Sequence, residues 1–259
     1  MTALLSINNL YKKYKGSKYF LSSGFRPSIG PINFTLERGK TLAIIGENGS
    51  GKSTLVKMIA GIIPPTSGDI YINGVSFASM SRPDRCKSVR IIFQDPNISL
   101  NPKATIGKIL AAPLDLNTNL TPAQRKQQIL ETLELVGLLP DYLNFYPNML
   151  SAVQQHKVAI ARAMVLNPDI IIADSILSTL DTSLGFKIVN ILLDIQEKKG
   201  VSYIFVSHNM NLVRHISDQV IVMQNGMIVE NNTTEKIFSS PQEATTKTLL
   251  QSEQPDYRK

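Results

Sequence analysis

The chain has 259 residues, and 43% of them are hydrophobic, which is enough for the core of one α/β domain with an inserted helical part. Lys and Arg outnumber Asp and Glu by 27 to 20, a net charge of +7, and the single Cys86 excludes an internal disulfide and a cysteine metal site. No apolar run approaches the roughly 18 residues that span a bilayer, and the N-terminus lacks a signal-peptide pattern, so we expect a reducing, cytoplasmic setting.

The first part of the chain is predicted to be rich in strands. Residues 4 to 45 form short apolar runs, interrupted by a loop around Ser17 to Ile29, where glycine, serine and proline cluster. Tyr11 and Tyr14 precede this loop, which separates them in sequence from the next motif.

The strongest signal follows the apolar run Thr41 to Ile45. The segment Gly46-Glu47-Asn48-Gly49-Ser50-Gly51-Lys52-Ser53-Thr54 fits the strand, glycine-rich loop and helix of a P-loop. Its glycines let the backbone fold around phosphate, and successive N–H groups with the positive end of the next helix favour an anion. In this pattern Lys52 reaches the β and γ phosphates and Ser53 is a Mg²⁺ ligand. We therefore expect a nucleoside triphosphate with Mg²⁺ here.

Helix signals dominate from Asp95 to Leu166. Thr121 is a predicted N-cap followed by Pro122 at the first helical position, and apolar residues recur at helical spacing after it. A later helix, Gln155 to Val165, should stop near Asn167-Pro168.

Two further strands are predicted beyond this helical part. The run Ile170 to Ala173 indicates a buried parallel strand, and Asp174 at its carboxyl end would face the ligand crevice of an open α/β sheet as a Mg²⁺ ligand. The alternative is that Asp174 caps a helix before Ile176. The run Tyr203 to Val206 indicates another strand, which leads to Ser207-His208.

These motifs together resemble those of the ABC transporter ATPases, in their family order. The series comprises Gly46 to Thr54, Phe93-Gln94-Asp95-Pro96, Leu150-Ser151, Ala161-Arg162-Ala163, Asp174, Ser178-Thr179-Leu180-Asp181 and Ser207-His208. The likeness covers about residues 4 to 245. Phe93 to Pro102 is similar to the oligopeptide and dipeptide branch, and the segments 116–120 and 136–141 resemble ATP-binding subunits of antimicrobial-peptide transport systems.

The resemblance implies a RecA-like P-loop NTPase fold, an ABC nucleotide-binding domain with an antiparallel β part and an inserted α-helical subdomain. Its expected parts are an ATP-binding α/β core of residues 1–94 and 167–245, a helical subdomain of residues 95–166, and a polar tail of residues 246–259. In the family, the helical subdomain docks on membrane subunits.

The family's site residues carry over onto matching positions. Gln94 would hold Mg²⁺ or the attacking water at a hinge, and Tyr14 would stack on adenine, with Tyr11 as the alternative. His208 would donate a hydrogen bond to the γ phosphate, although a histidine without this motif context is more often a packed one. Ser151 and Gln154 match the signature loop, and Asp181 ends the motif Ser178-Thr179-Leu180-Asp181. The nucleotide that the resemblance implies is ATP. His156 and His215 have no such motif context.

The chain departs from the family at several positions. Ser175 stands where a Glu usually activates the attacking water, and a neutral hydroxyl cannot take that proton at pH 7. In the signature loop, normally Leu-Ser-Gly-Gly-Gln, Ala152 adds a methyl group and Val153 a β-branched side chain that resists positive φ. Lys157 replaces an arginine and loses its fork-like bonding. We expect an ATPase that is slow or inactive alone.

The expected partners are a second, non-identical ABC ATPase subunit, two transmembrane permease subunits and, indirectly, a periplasmic binding protein. The chain would then be peripheral at the cytoplasmic face of the inner membrane, where it couples ATP binding and hydrolysis to peptide-type transport. The transported compound and its direction stay open.

Two other functions compete with transport. The first is an ATP-gated binding module with little hydrolysis, which Ser175 permits. The second is a soluble, nucleic-acid-associated ABC ATPase, suggested by the positive charge. We expect no nucleic acid as a partner, because the basic residues lack interleaved stacking aromatics and a solvated surface with a cationic nucleotide site accounts for the charge.

Overall fold

The computed structural model describes residues 3–14, 28–95 and 99–251. The chain divides into two compact units, a first unit of Met1–Met80 with His208–Lys259 and a second unit of Ser81–Ser207. Most of the predicted loop around Ser17 to Ile29, and the predicted polar tail after Gln251, lie outside the described residues.

Ten strands lie in the described ranges. In chain order they are β1 Leu5–Lys13, β2 Ser28–Leu36, β3 Thr41–Gly46, β4 Ser67–Ile72, β5 Val75–Ser76, β6 Val89–Ile92, β7 Ile170–Asp174, β8 Ser202–Val206, β9 Gln219–Gln224 and β10 Met227–Thr233.

The strands of each unit pair in a different manner. The first unit has an antiparallel sheet of order β2-β1-β4-β5, and its β9 pairs in parallel with β3 and antiparallel with β10. In the second unit β7 lies between β6 and β8, and all three are parallel. Every residue of β3, β7 and β8 is buried, as the continuous apolar runs of parallel strands predict.

Nine helices of six or more residues lie in the described ranges. They are α1 Lys52–Ile59, α2 Arg82–Ser88, α3 Ile106–Asn117, α4 Pro122–Leu135, α5 Ala152–Met164, α6 Thr182–Lys199, α7 Met210–Ile216, α8 Thr234–Ser239 and α9 Ala244–Gln251. Short 3₁₀ turns cover Phe77–Ser79, Pro140–Asn144 and Pro147–Met149. Across the part of the chain described, no helix is long and apolar enough to cross a membrane.

Local sequence fixes the ends of the helices. Thr121 caps α4: its Oγ1 accepts from the backbone N–H of Gln124 at 3.3 Å, and the Gln124 side chain accepts from the Thr121 N–H at 2.8 Å. Pro122 at the first helical position needs no N–H partner, so this predicted helix start is confirmed. The predicted end of the later helix is also confirmed, since α5 stops at Met164.

The predicted fold class is confirmed: parallel strands with helices, an antiparallel β part and a helical segment. Described residues between 99 and 166 contain α3, α4 and α5 and no strand. The boundaries of the helical subdomain, 95 and 166, stay a prediction.

Glu230 of β10 holds the start of α9 in the first unit. Its carboxylate accepts hydrogen bonds from the backbone N–H groups of Gln242, at 3.0 Å, and Glu243, at 3.1 Å, and from the hydroxyl of Thr246. Burial opposes the ionised form of this carboxyl, but these bonds outweigh that effect, with help from the charge of Lys247, and the pKa of Glu230 is lowered.

We predict that Glu230→Gln lowers the free energy of unfolding by about 1 kcal/mol at pH 7, because the amide accepts weaker hydrogen bonds than the carboxylate. A carboxyl whose pKa is lowered on folding stabilises above its unfolded pKa of about 4.3 and loses that contribution as the pH falls through the folded pKa. The difference between wild type and Glu230→Gln, measured by urea unfolding, should therefore shrink at acidic pH. Glu243→Gln, which changes an exposed side chain, is the control. An equal loss of unfolding free energy in the two variants would contradict the stabilising role of the Glu230 carboxylate.

Candidate nucleotide site

The loop between β3 and α1 has a backbone that only glycine accommodates at two positions. Gly46 has φ 145°, and a Cβ there would lie 2.2 Å from the carbonyl oxygen of Met223. Gly51, the residue before α1, has φ 104°, and its Cβ would press on the Ile29 side chain at 3.1 Å. These two glycines therefore allow the close backbone curvature that the P-loop pattern predicts.

A hairpin turn supports this loop from the side. Asn225 and Gly226, between β9 and β10, have φ of 49° and 80°, and the Gly226 N–H donates to the carbonyl oxygen of Ser50 at 3.0 Å. The Gly226 carbonyl in turn accepts from Gly30 N–H at 2.8 Å. The contact of this turn with the loop is not among the sequence predictions, although Asn-Gly between two apolar runs is a hairpin signal.

Lys52 directs its ammonium group into the same loop. The side chain is only 6% exposed, and Nζ donates to the carbonyl oxygens of Gly46, at 2.7 Å, and Glu47, at 2.8 Å. The hydroxyl of Ser50 lies 3.4 Å from Nζ. A buried cation needs such acceptors, and a phosphate oxygen would be a stronger acceptor than these carbonyls. The contact of Lys52 with phosphate stays a prediction.

The remaining predicted residues of the first unit lie around this loop. Asn48 and Gly49 are exposed at its tip, and Ser53 is exposed in the first turn of α1. Tyr14 donates from its hydroxyl to Thr54 Oγ1 at 3.3 Å, which brings the Tyr14 side chain to α1. Tyr11 instead lies within β1, opposite Ser67 of β4. Of the two tyrosines, Tyr14 is thus the one in contact with the P-loop helix.

His208 follows β8 by two residues and is exposed. The next residue, Asn209, caps α7, since its Oδ1 accepts from the Leu212 N–H at 3.1 Å. The predicted strand before His208 is confirmed as β8, while the contact of His208 with phosphate stays a prediction.

The second unit holds the carboxylate predicted for Mg²⁺. Asp174 is the last residue of β7 and is 8% exposed, so the interpretation as the end of a buried strand is confirmed and the helix-cap alternative is wrong. Ser175 has φ 53°, and its N–H donates to the carbonyl oxygen of Val206 at 3.0 Å. A non-glycine residue at positive φ is uncommon and often marks a functional turn.

Gln94 lies two residues beyond β6 and is exposed, as a side chain that meets a ligand would be. Asp181 has a structural role that the sequence analysis did not anticipate. Its Oδ1 accepts from the Leu184 N–H at 2.8 Å and caps α6.

The signature segment forms the start of α5. Ser151 is the N-cap of α5, and its Oγ accepts from the backbone N–H of Gln154 at 3.4 Å. The backbone N–H of Ser151 donates to Gln154 Oε1 at 2.9 Å. The Gln154 amide also donates to the hydroxyl of Tyr142 at 2.7 Å. Ser151 and Gln154 therefore complete a capping box despite the altered residues between them.

One expectation about this segment is wrong. Ala152 and Val153 lie in the first turn of α5 and neither has positive φ, so the β-branched side chain of Val153 meets no backbone strain. Ala152 is exposed and Val153 is half-buried. What distinguishes this loop from one with two glycines is therefore the added side-chain bulk at its surface. Lys157, farther along α5, donates to the carbonyl oxygen of Gly137 at 3.1 Å.

The predicted site residues thus fall into two groups, one in each unit. The first unit contains Tyr14, Gly46, Asn48, Gly49, Ser50, Gly51, Lys52, Ser53, Thr54 and His208, and the second contains Gln94, Ser151, Gln154, Asp174, Ser175 and Asp181. The glycine curvature, the buried ammonium and the start of α1 suit the phosphates of a nucleotide. Ser53 in the first unit, and Gln94 and Asp174 in the second, each have an oxygen of the kind that Mg²⁺ prefers, and their binding of one ion stays a prediction.

Known proteins share this architecture. A family model for ABC transporters matches residues 29–178, more than half of the chain. The dimeric ATP-binding cassette MJ0796, described in a post-hydrolysis state bound to ADP and Pi, superposes with a TM-score of 0.75 at 28% identity, over 89% of this chain and 98% of that one. For cbiO1 from Clostridium perfringens, part of the ABC transporter complex cbiONQ, the TM-score is 0.79 at 27% identity, over 93% of this chain and 92% of that one.

Curated relatives are more similar in sequence. The putrescine export system ATP-binding protein SapF of Escherichia coli is 46% identical over 95% of this chain and 92% of that protein. The peptide transport system ATP-binding protein SapF of Salmonella typhimurium is 45% identical over the same shares. The dipeptide transport ATP-binding protein DppF of Haemophilus influenzae is 42% identical over 96% of this chain and 77% of that protein.

The fold and the phosphate loop define a P-loop ATPase of the ABC class. The chain belongs to the ABC transporter family, in the branch of ATP-binding subunits that includes SapF and DppF. The resemblance given by the ordered motifs is confirmed.

Lys52→Ala should weaken ATP binding about tenfold or more, because it removes a charge-assisted bond to phosphate. The measurement is titration of the protein with a fluorescent ATP analogue at fixed ionic strength. Lys57→Ala, which removes the same charge from the last turn of the same helix, should change the affinity little. Equal affinities of the Lys52 and Lys57 variants would contradict the site.

Proposed function

We propose that the chain is an ATP-binding subunit of a peptide-type ABC transporter and works in an obligate pair with a second, more regular ATPase subunit, SapD-like by resemblance. The observation that carries the pairing is Ser175 directly after Asp174, and the bulkier signature segment agrees with it. Two transmembrane permease subunits, with a periplasmic binding protein in the case of an importer, complete the assembly. The chain would be peripheral at the cytoplasmic face of the inner membrane, and the membrane partners would select the cargo.

The chain's residues divide into those that hold ATP and those that activate water. Binding rests on the P-loop, Lys52, Ser53 and Asp174, none of which depends on the side chain at position 175. A serine hydroxyl is no general base at pH 7, and loss of a general base costs on the order of 10² to 10⁴ in rate. We therefore expect this chain's own site to retain ATP and hydrolyse it slowly, with Gln94 and His208 as the predicted contacts of the γ phosphate and the attacking water.

The pair makes the two sites unequal. In the sandwich that the family implies, each composite site takes its P-loop and base from one subunit and its signature loop from the other. A self-paired assembly would carry the missing base and the bulkier loop in both sites. With a regular partner, one site lacks only the base, whereas the other has a base and meets only Ala152 and Val153. Turnover should then occur mainly at the site that uses the partner's base.

A second candidate function is an ATP-gated binding module that clamps on nucleotide and hardly hydrolyses it. Ser175 favours this candidate, because it removes the base and leaves the phosphate loop unchanged. Phosphate release by the assembled pair under single-turnover conditions decides between the two. Release on the timescale of transport supports the ATPase, and its absence supports the binding module.

The isolated chain should hydrolyse ATP at least about tenfold more slowly than the assembled pair, since it lacks a general base. Steady-state phosphate release measures both rates at saturating ATP. A pair whose partner has lost its own catalytic carboxylate is the control and should be as slow as the isolated chain. Brisk hydrolysis by this chain alone would contradict the pairing.

Ser175→Glu should raise turnover of the pair, by about tenfold or more at the site that contains this residue, because it supplies the missing proton acceptor. ATP affinity should not change, since the phosphate loop is untouched. Ser175→Gln introduces a side chain as large as that of glutamate but without a base, so it should give no increase in turnover. If Ser175→Glu and Ser175→Gln turn over equally, position 175 is not what limits the rate.

A further inference from the structure

His156 is a buried residue in the second turn of α5 that the function described so far does not use. The side chain is 3% exposed. Its Nδ1 lies 2.8 Å from the carbonyl oxygen of Ala152, one turn earlier in the same helix. Its Nε2 lies 2.7 Å from the carbonyl oxygen of Ile176, twenty residues farther along the chain. One imidazole ring therefore connects two separate segments of the second unit.

Both contacts are made to groups that only accept hydrogen bonds. A carbonyl oxygen has no proton, so each contact is a hydrogen bond only when the facing ring nitrogen carries one. A neutral ring donates through one nitrogen, and a ring with both nitrogens protonated donates to both carbonyls at once. The doubly protonated ring is therefore the form in which both contacts, at 2.8 Å and 2.7 Å, are hydrogen bonds, whereas the neutral ring makes one of them.

One of the two carbonyl groups belongs to a residue that departs from the family, Ala152, and the other belongs to Ile176, which follows a second such residue, Ser175. Ala152 lies inside the signature segment, directly after the cap Ser151. Ile176 follows Ser175, whose backbone is held at φ 53° by the bond from its N–H to Val206. The His156 ring thus lies between the start of α5 and the turn that contains Ser175.

We propose that His156 is a positioning residue that couples the two ATP sites of the assembled pair. The proposal rests on the proposed function, in which the signature segment faces the nucleotide of the partner and Ser175 faces the nucleotide of this chain. Closure of α5 on the partner's nucleotide changes the position of Ala152, and His156 passes that change to Ile176. The turn at Ser175 then has its working geometry only when the opposite site is engaged.

Gln155, the neighbouring residue, supplies a matched comparison. It is also buried on α5, with 8% exposure, and its Nε2 donates to the carbonyl oxygens of Pro147, at 3.0 Å, and Leu150, at 3.3 Å. Neither acceptor belongs to the segment of residues 174–181. Loss of this side chain removes buried hydrogen bonds from the same helix and leaves the link to Ser175 intact.

The test is a set of double-mutant cycles in the assembled pair, with ATP turnover as the readout. The gain in turnover from Ser175→Glu is measured in three backgrounds: wild type, His156→Phe and Gln155→Leu. Residues coupled through one contact network give non-additive effects, so the gain should be at least about threefold smaller in the His156→Phe background. In the Gln155→Leu background the gain should equal that of wild type.

Two further measurements separate coupling from damage to the fold. ATP affinity of His156→Phe should stay within about twofold of wild type while its turnover changes, since no P-loop contact is altered. If His156→Phe does not fold, His156→Asn takes its place, because the shorter amide does not reach Ile176. Thermal unfolding of each variant confirms that folded protein is compared.

The outcomes distinguish this proposal from the one on which it rests. No gain from Ser175→Glu with His156 present would contradict the missing-base account and this coupling with it. A gain in the wild-type background that is equally large in the His156 variants would overturn the coupling alone. A gain reduced as much by Gln155→Leu as by His156→Phe would also overturn it, since any buried bond on α5 would then have the same effect.

Discussion

The nucleotide site depends on one constraint: the backbone after β3 must curve tightly enough to surround phosphate with N–H groups. Gly46 and Gly51 both adopt positive φ, a Cβ at Gly46 would collide with the Met223 carbonyl, and the turn at Gly226 holds the loop through Ser50. Lys52 adds a buried positive charge among the loop carbonyls. Without this curvature neither the ammonium nor the start of α1 would be directed at a nucleotide.

Holding ATP and cleaving it are separate properties in this chain. Asp174 ends a buried strand, Ser175 has a neutral hydroxyl at the next position, and Ala152 and Val153 add side chains to the first turn of α5. The capping box of Ser151 and Gln154 forms the start of that helix. These features are the basis of the proposed pair, in which a partner would supply the base.

The sequence predicted the parts of the fold and site that depend on local pattern. β3 with its loop and α1, the buried strand ending at Asp174, and the cap at Thr121 each follow from neighbouring residues. The support from Gly226 and the bridge from His156 to Ile176 were not predicted, because each joins residues distant in sequence. The helical φ of Val153 was missed for a related reason: the cap at Ser151 fixes the backbone whatever residues follow, so the family's glycines do not imply positive φ.

The central claim is that the pair hydrolyses ATP at the partner's phosphate loop while this chain's loop retains ATP. Orthovanadate trapping of the pair with a photoreactive ATP, labelled in parallel experiments on the base and on the γ phosphate, tests it most directly. The base label marks every crosslinked nucleotide, whereas the γ label remains only on ATP that has not been hydrolysed, so the two together identify which subunit holds ADP and which holds ATP. The account predicts trapped ADP on the partner subunit and intact ATP on this chain. Trapped ADP crosslinked mainly to this chain would contradict it.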